Sequence, residues 1–179
     1  MMDLMESSDD YSQVGMHDDN LRIMELLRAF AADYTYLIRH LSTWLGVHTA
    51  DAAAYAEILY AQDKGAPLTP AQLARRISLS SGATTTLLNR LEAANLVVRS
   101  REQRDRRVVT LRSAPAVHRE APLFFGPLAA RMDAAMSQQD SDFRARVVHF
   151  LGDVHDTMTS FIDEIDGLVP PRSTPPRDG

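Results

Sequence analysis

The chain contains no cysteine. Disulfides, thiol redox sensing and cysteine-based metal sites are therefore excluded. No apolar run approaches ~18 residues, so nothing is expected to span a membrane. The first ten residues, MMDLMESSDD, are acidic where a secretory signal would be basic, and no apolar stretch follows them. A cytoplasmic protein is expected. The chain also lacks G-x-S-x-G, a Walker loop, G-x-G-x-x-G and H-E-x-x-H, so it does not read as an enzyme. Positive charge is in deficit overall, with 19 Lys and Arg against 24 Asp and Glu and a net charge of −5.

What is present fits one domain with an attached oligomerisation element: 179 residues, 45% of them hydrophobic. Residues 1–19 hold six acids and neither Lys nor Arg, and are expected to be a disordered acidic tail. Residues 168–179, LVPPRSTPPRDG, hold four prolines and are expected to be a second, Pro-rich tail. Between the tails the periodicity is mostly helical. Ile23, Leu27, Phe30, Tyr34, Leu37, Leu41 and Leu45 recur every three or four residues and predict one long amphipathic helix that Gly46 can end. Thr49 can cap a second helix, with Asp51 in its first turn. LTPAQL (68–73) is a strong helix start. Thr69 is placed as N-cap, Pro70 as first helical residue and Gln72 as capping-box partner. Ser80 or Ser81 caps the next helix, which ends near Ala94 with Asn95 suited to a left-handed turn. LVVRS (96–100) and RVVTL (107–111) are short β-branched runs joined by the polar stretch REQRDR, a hairpin pattern. A helix follows Pro115, with Pro122 and Gly126-Pro127 expected to bend or interrupt it, and a last helix follows Asp140 with Phe143, Val147, Phe150, Leu151, Val154, Met158, Phe161, Ile162 and Ile165 apolar.

The charge is unevenly placed. Between Pro70 and Arg112 nine Arg face three acids, a surplus of +6 that leaves −11 for the remainder. A basic segment in an acidic chain suggests a local surface for a polyanion. The same segment holds a short helix, the turn SLSS (78–81) and a second helix, the order of a helix-turn-helix. Leu87, Leu88 and Leu91 of the second helix must face the core. Ser81, Thr85, Thr86, Asn89 and Arg90 then face outward, and hydroxyls, amides and guanidinium suit phosphate oxygens and base edges. Arg104, Arg106 and Arg107 sit on the hairpin, where a thin loop can carry an Arg into a minor groove. Asp105, two residues from Arg107, is placed to hold that guanidinium by a two-pronged hydrogen bond.

Taken in order, LTPAQLA, LSSGATTTLLNRLEAANLV and the D-x-R motif Asp105-Arg106-Arg107 resemble the core of the multiple antibiotic resistance regulator (MarR) family of transcription factors. FGPLAARM (125–132) looks like that family's fifth helix, while the family's LT-x-x-G entry to it is replaced here by SAPAV (113–117). The resemblance implies a mostly α fold with a small β-hairpin, a winged helix-turn-helix over 49–112, and a dimerisation region over 20–48 and 113–167. It implies a homodimeric repressor of a palindromic operator on double-stranded DNA, with Arg107 approaching the minor groove and Asp105 positioning it. It also implies a small, possibly aromatic or phenolic effector between the dimer helices and the winged helix. The matching residues are Tyr36, His40, Trp44, His48, Tyr55 and Met132, of which His40, Trp44 and His48 fall at i, i+4 and i+8. No cofactor is expected. No metal is expected, because the histidine spacings do not suit one helix face. The alternative reading is a winged-helix protein-interaction module without DNA binding, which the arginine-rich wing argues against.

Overall fold

A computed structural model describes residues 17–101 and 108–165. Its contacts divide the chain into two units, Met1–Phe124 and Phe125–Gly179. The first unit holds helices α1 (Asp18–Leu45), α2 (Thr49–Asp63), α3 (Pro70–Arg76) and α4 (Ser81–Ala93), strands β1 (Val97–Arg101) and β2 (Val109–Ser113), and the opening half of α5 (Pro115–Ser137). The second holds the remainder of α5 and helix α6 (Ser141–Ile165). The architecture is mostly helical with a two-stranded antiparallel hairpin, as expected. No helix among the described residues is long and apolar enough to cross a membrane.

Helix α2 is the centre of the first unit. Its sequence, TADAAAYAEILYAQD, is apolar nearly all round, and Ala52, Ala54, Tyr55, Ala56, Ile58, Leu59 and Ala61 are buried. A helix this apolar must be covered over most of its surface, and only Thr49, Ala50, Tyr60 and Asp63 are left exposed. α1 covers one side with Ile38 and Leu41. Leu73 of α3, Leu87, Leu88 and Leu91 of α4, and Val97 and Leu111 of the hairpin complete the buried set. Only the C-terminal third of α1 is buried, whereas Ile23, Leu26, Phe30 and Tyr34 higher on that helix are exposed.

Local signals set most of the boundaries. Gly46 adopts φ +68° and closes α1, the left-handed conformation that costs glycine no Cβ clash. The Thr69 capping box forms in full: its hydroxyl oxygen accepts from the Gln72 N–H, and the Gln72 side chain accepts from the Thr69 N–H. Ser80, not Ser81, caps α4. Asn95 takes φ +55°, and the Leu96 N–H returns to the Leu91 carbonyl.

Several boundaries differ from expectation. α2 has His48 at its N-cap and Thr49 as its first helical residue, with no side-chain cap bond. α1 starts at Asp18, so Asp18 and Asp19 belong to its first turn, where their charge complements the helix dipole. The strands lie one and two residues later than the β-branched runs, pairing Val97 with Ser113 and Arg101 with Val109. Leu96 is consumed by the close of α4, and its carbonyl accepts from the Ala114 N–H at 2.9 Å. Ser113 is drawn into β2 from outside: its N–H donates to Gln62 Oε1 at 2.8 Å, and its hydroxyl pairs with the Tyr55 hydroxyl at 2.9 Å. The segment before α3 adds a further link to the hairpin, the Leu111 N–H donating to the Leu68 carbonyl at 2.7 Å. SAPAV does start α5, with the His118 N–H bonded to the Ala114 carbonyl. α5 runs continuously past Pro122 and Pro127 rather than being interrupted there.

Tyr55 links the central helix to the hairpin and is fully buried. Burial raises its pKa above the ordinary 10.0, partly offset by the Ser113 hydrogen bond. Because the folded state holds this proton more tightly than the unfolded state, the stability it adds is full below pH 10 and lost as pH rises beyond. Tyr55→Phe is expected to cost about 1 kcal/mol at neutral pH. It should also flatten the alkaline fall in stability above pH 10, both read from urea unfolding at stepped pH.

Candidate nucleic-acid interface

The turn 78–81 between α3 and α4 contains Ser78 at φ +51°, a compact reversal that sends α4 away from α3. The Ser80 hydroxyl oxygen accepts from the Ala83 N–H at 3.3 Å and holds the first turn of α4. Leu87, Leu88, Leu91 and Thr84 face the core. Ser81, Thr85, Thr86, Asn89 and Arg90 are all exposed, so α4 presents the outward polar face expected of it. The hydroxyls of Thr85 and Thr86 donate to the Ser81 and Gly82 carbonyls at 2.8 and 3.1 Å. In that state their oxygens act as acceptors and their methyls as apolar contacts, a combination suited to the amino groups and thymine methyls of a major groove.

Two of the outward residues are held by side chains that sequence reasoning did not identify. Arg99 of β1 donates to Asn89 Oδ1 at 3.2 Å and lies 3.4 Å from Glu92, tying the hairpin to α4. Arg90 donates from Nε and Nη2 to the two carboxylate oxygens of Asp51 at 3.0 and 2.5 Å. These hydrogen bonds raise the Arg90 pKa above its ordinary value. Arg90 is outward-facing as expected, and its guanidinium is also engaged across to α2. The signal for Asp51 was present as a single acid in the otherwise small and apolar run TADAAAYA. Arg104, Asp105, Arg106 and Arg107 lie in the connection between β1 and β2, outside the described residues.

The residues expected around an effector are engaged in different ways. Tyr36 and His40 pack edge to face on α1, ring centres 4.7 Å apart. Trp44 lies against Phe124 at 5.5 Å. His48 does not continue their helix face, because Gly46 ends α1 before it. Tyr55 is spent in the core on Ser113, and Met132 is half-exposed on α5 in the second unit. A cavity of about 290 Å³ opens elsewhere, between Tyr34 and Ile38 of α1, Ala53 and Glu57 of α2, and Arg76 and Leu79 at the turn; none of the six expected residues lines it. Arg76 and Glu57 pair there at 2.9 Å. The Tyr34 hydroxyl is raised in pKa, first by burial and then by the Glu57 charge. Among the described residues, no three His, Asp or Glu side chains gather to hold a metal ion.

A capped helix, a tight turn, an outward polar helix and an antiparallel hairpin, with a buried third segment bonded to it, define a winged helix-turn-helix protein. The comparisons narrow the class. Residues 51–108 match the model of the MarR family. Over 122 residues the chain is 28% identical to an uncharacterized HTH-type transcriptional regulator of Bacillus subtilis, YcgE, spanning 68% of this chain and 76% of that protein. The structure of a MarR family protein from Bacillus stearothermophilus aligns with TM-score 0.57 at 21% identity, covering 80% of this chain and 99% of that one. The transcription regulator MarR from Oenococcus oeni aligns with TM-score 0.55 at 16% identity, covering 77% and 98%. The winged head is thus similar to those of MarR-family transcriptional regulators.

Because Ser80 holds the first turn of α4, Ser80→Ala is expected to lower stability by about 0.5–2 kcal/mol in denaturant unfolding. It should also speed amide exchange in residues 82–85, with little change in the hairpin.

Proposed function

We propose that the protein is a cytoplasmic, homodimeric repressor that binds a palindromic operator in double-stranded DNA and is released by a small aromatic effector. The observation that carries the DNA reading is the outward face of α4, polar and exposed, set in a segment with a charge surplus of +6 inside an acidic chain. Ser81, Thr85, Thr86 and Asn89 are proposed to meet phosphates and base edges in the major groove. Arg104, Arg106 and Arg107 are proposed to enter the flanking minor groove, with Asp105 aiming Arg107.

The dimer reading rests on unpartnered apolar surface. No residue of α6 is buried, although Phe143, Phe150, Leu151, Met158, Phe161 and Ile162 recur along it at helical spacing. Ile23, Leu26 and Phe30 of α1 are exposed in the same way. Exposed apolar residues at helical spacing on each of these helices suit an association face, and a two-fold dimer would present two heads to two half-sites one helical turn apart. The effector is proposed to contact the aromatic and imidazole groups Tyr36, His40 and Trp44 on the last turns of α1, whose flat, partly polar surfaces suit an aromatic ligand.

Two experiments test these readings. Duplex from the region upstream of the protein's own gene should be retained at low salt, with affinity falling steeply as salt rises. Arg107→Ala should weaken that binding several-fold. Equal binding of specific and random duplexes by both proteins would instead favour a protein-interaction module. In light scattering the wild type should have twice the chain mass, and Phe150→Glu with Phe161→Glu should shift it to the monomer.

A further inference from the structure

Among the described residues Asp51 is the one buried acid, its side chain 3% exposed, and no direct contact with DNA can use it. A carboxylate out of water is tolerated only when paired and hydrogen-bonded. Both of its oxygens accept from Arg90, Oδ2 from Nε and Oδ1 from Nη2. The bond joins the first turn of α2 to the last turn of α4. Arg90 itself is half-exposed, its side chain 46% accessible, one turn beyond Thr86 on the outward face.

Two kinds of contact hold α4. The leucines Leu87, Leu88 and Leu91 resist its removal from the core, but hydrophobic burial is non-directional and tolerates a small rotation about the helix axis. A two-pronged, planar, charge-assisted bond does not. A rotation of α4 would change which of Thr85, Thr86 and Asn89 point at bases. It would also pull the guanidinium off the Asp51 plane. The same bond turns the Nε edge of Arg90 inward and neutralises a cation that would otherwise attract phosphate regardless of sequence.

We propose that Asp51 is a specificity-determining positioning residue, which acts through Arg90 to fix the rotation of α4 and to withhold Arg90 from the phosphate backbone. This rests on the reading of the winged head as DNA-binding. Sequence discrimination then depends on a residue that never touches DNA.

The probe is a duplex selected by the wild type from a randomised pool, compared with a scrambled duplex of the same composition. Asp51→Asn should lower the selected-to-scrambled affinity ratio by about tenfold, the scale of one good base contact. It should also raise affinity for the scrambled duplex and steepen its salt dependence, because Arg90 is released as a phosphate-seeking cation. A merely structural defect would not strengthen any binding. Arg90→Gln should lower the ratio similarly while leaving scrambled binding and its salt slope unchanged. The double variant should match Arg90→Gln rather than sum the two effects.

The role is overturned if Asp51→Asn keeps the wild-type ratio. It is equally overturned if Arg90→Gln weakens both duplexes alike and flattens the salt slope, the behaviour of a direct phosphate contact. Arg90→Gln leaves Asp51 buried without its partner, so the double variant, which leaves no unpaired buried charge, carries the test if either single variant does not fold in a thermal melt. A wild type that enriches no duplex overturns the DNA reading and this proposal with it. A wild type that enriches one, with variants that keep its ratio, overturns the positioning role alone.

Discussion

Helix α2 is buried over most of its surface, and the first unit is arranged around that constraint. Apolar contact alone would hold α1, α3, α4 and the hairpin against it without fixing their angles. The polar residues of α2 supply the missing direction. Asp51 reaches α4 through Arg90, Glu57 reaches the end of α3 through Arg76, and Tyr55 and Gln62 reach Ser113 of β2. Gln62 also lies 3.4 Å from His118 of α5. α3, α4, β2 and α5 thus each have a polar link to the central helix. Non-directional burial supplies the cohesion, and directed hydrogen bonds select one packing among similar ones.

That geometry explains how an acidic chain can carry a cationic head. The segment from Pro70 to Arg112 carries +6, while the compensating −11 lies in the rest of the sequence. Internal pairing trims the head's positive charge selectively. Arg90 is neutralised by buried Asp51, Arg76 by Glu57, and Arg99 lies near Glu92. The positive charge is therefore sorted by position, and an arginine count overstates what faces outward.

Signals that act over a few residues were legible. The Thr69 capping box, the Ser80 cap, the left-handed Asn95 and Gly46, and the outward polar face of α4 all appear where the pattern placed them. Each depends on hydrogen bonds within one turn or on helical period, which neighbouring residues determine. Features set by contacts across the fold were not legible. The strands moved by one and two residues because Leu96 closes α4 and Ser113 is drawn to Tyr55 and Gln62, 58 and 51 positions away. Tyr55 and Arg90 look alike in sequence to a ligand contact and a DNA contact, since a polar tip on a helix does not reveal its partner. The cavity beside Glu57 and Arg76 joins three helices and has no linear signature.

Sequence by itself determined the class of this protein. Helical period, caps and turn residues are local physics, and their order from Leu68 to Leu111 specifies a winged helix-turn-helix with a basic hairpin. Tertiary structure decided how each charged or hydroxyl group is spent. A side chain's partner depends on which distant backbone folding brings within about 3 Å, the reach of a hydrogen bond. Only the folded chain shows Asp51 against Arg90 and Tyr55 against Ser113, and so which groups hold the winged head together and which remain to face outward.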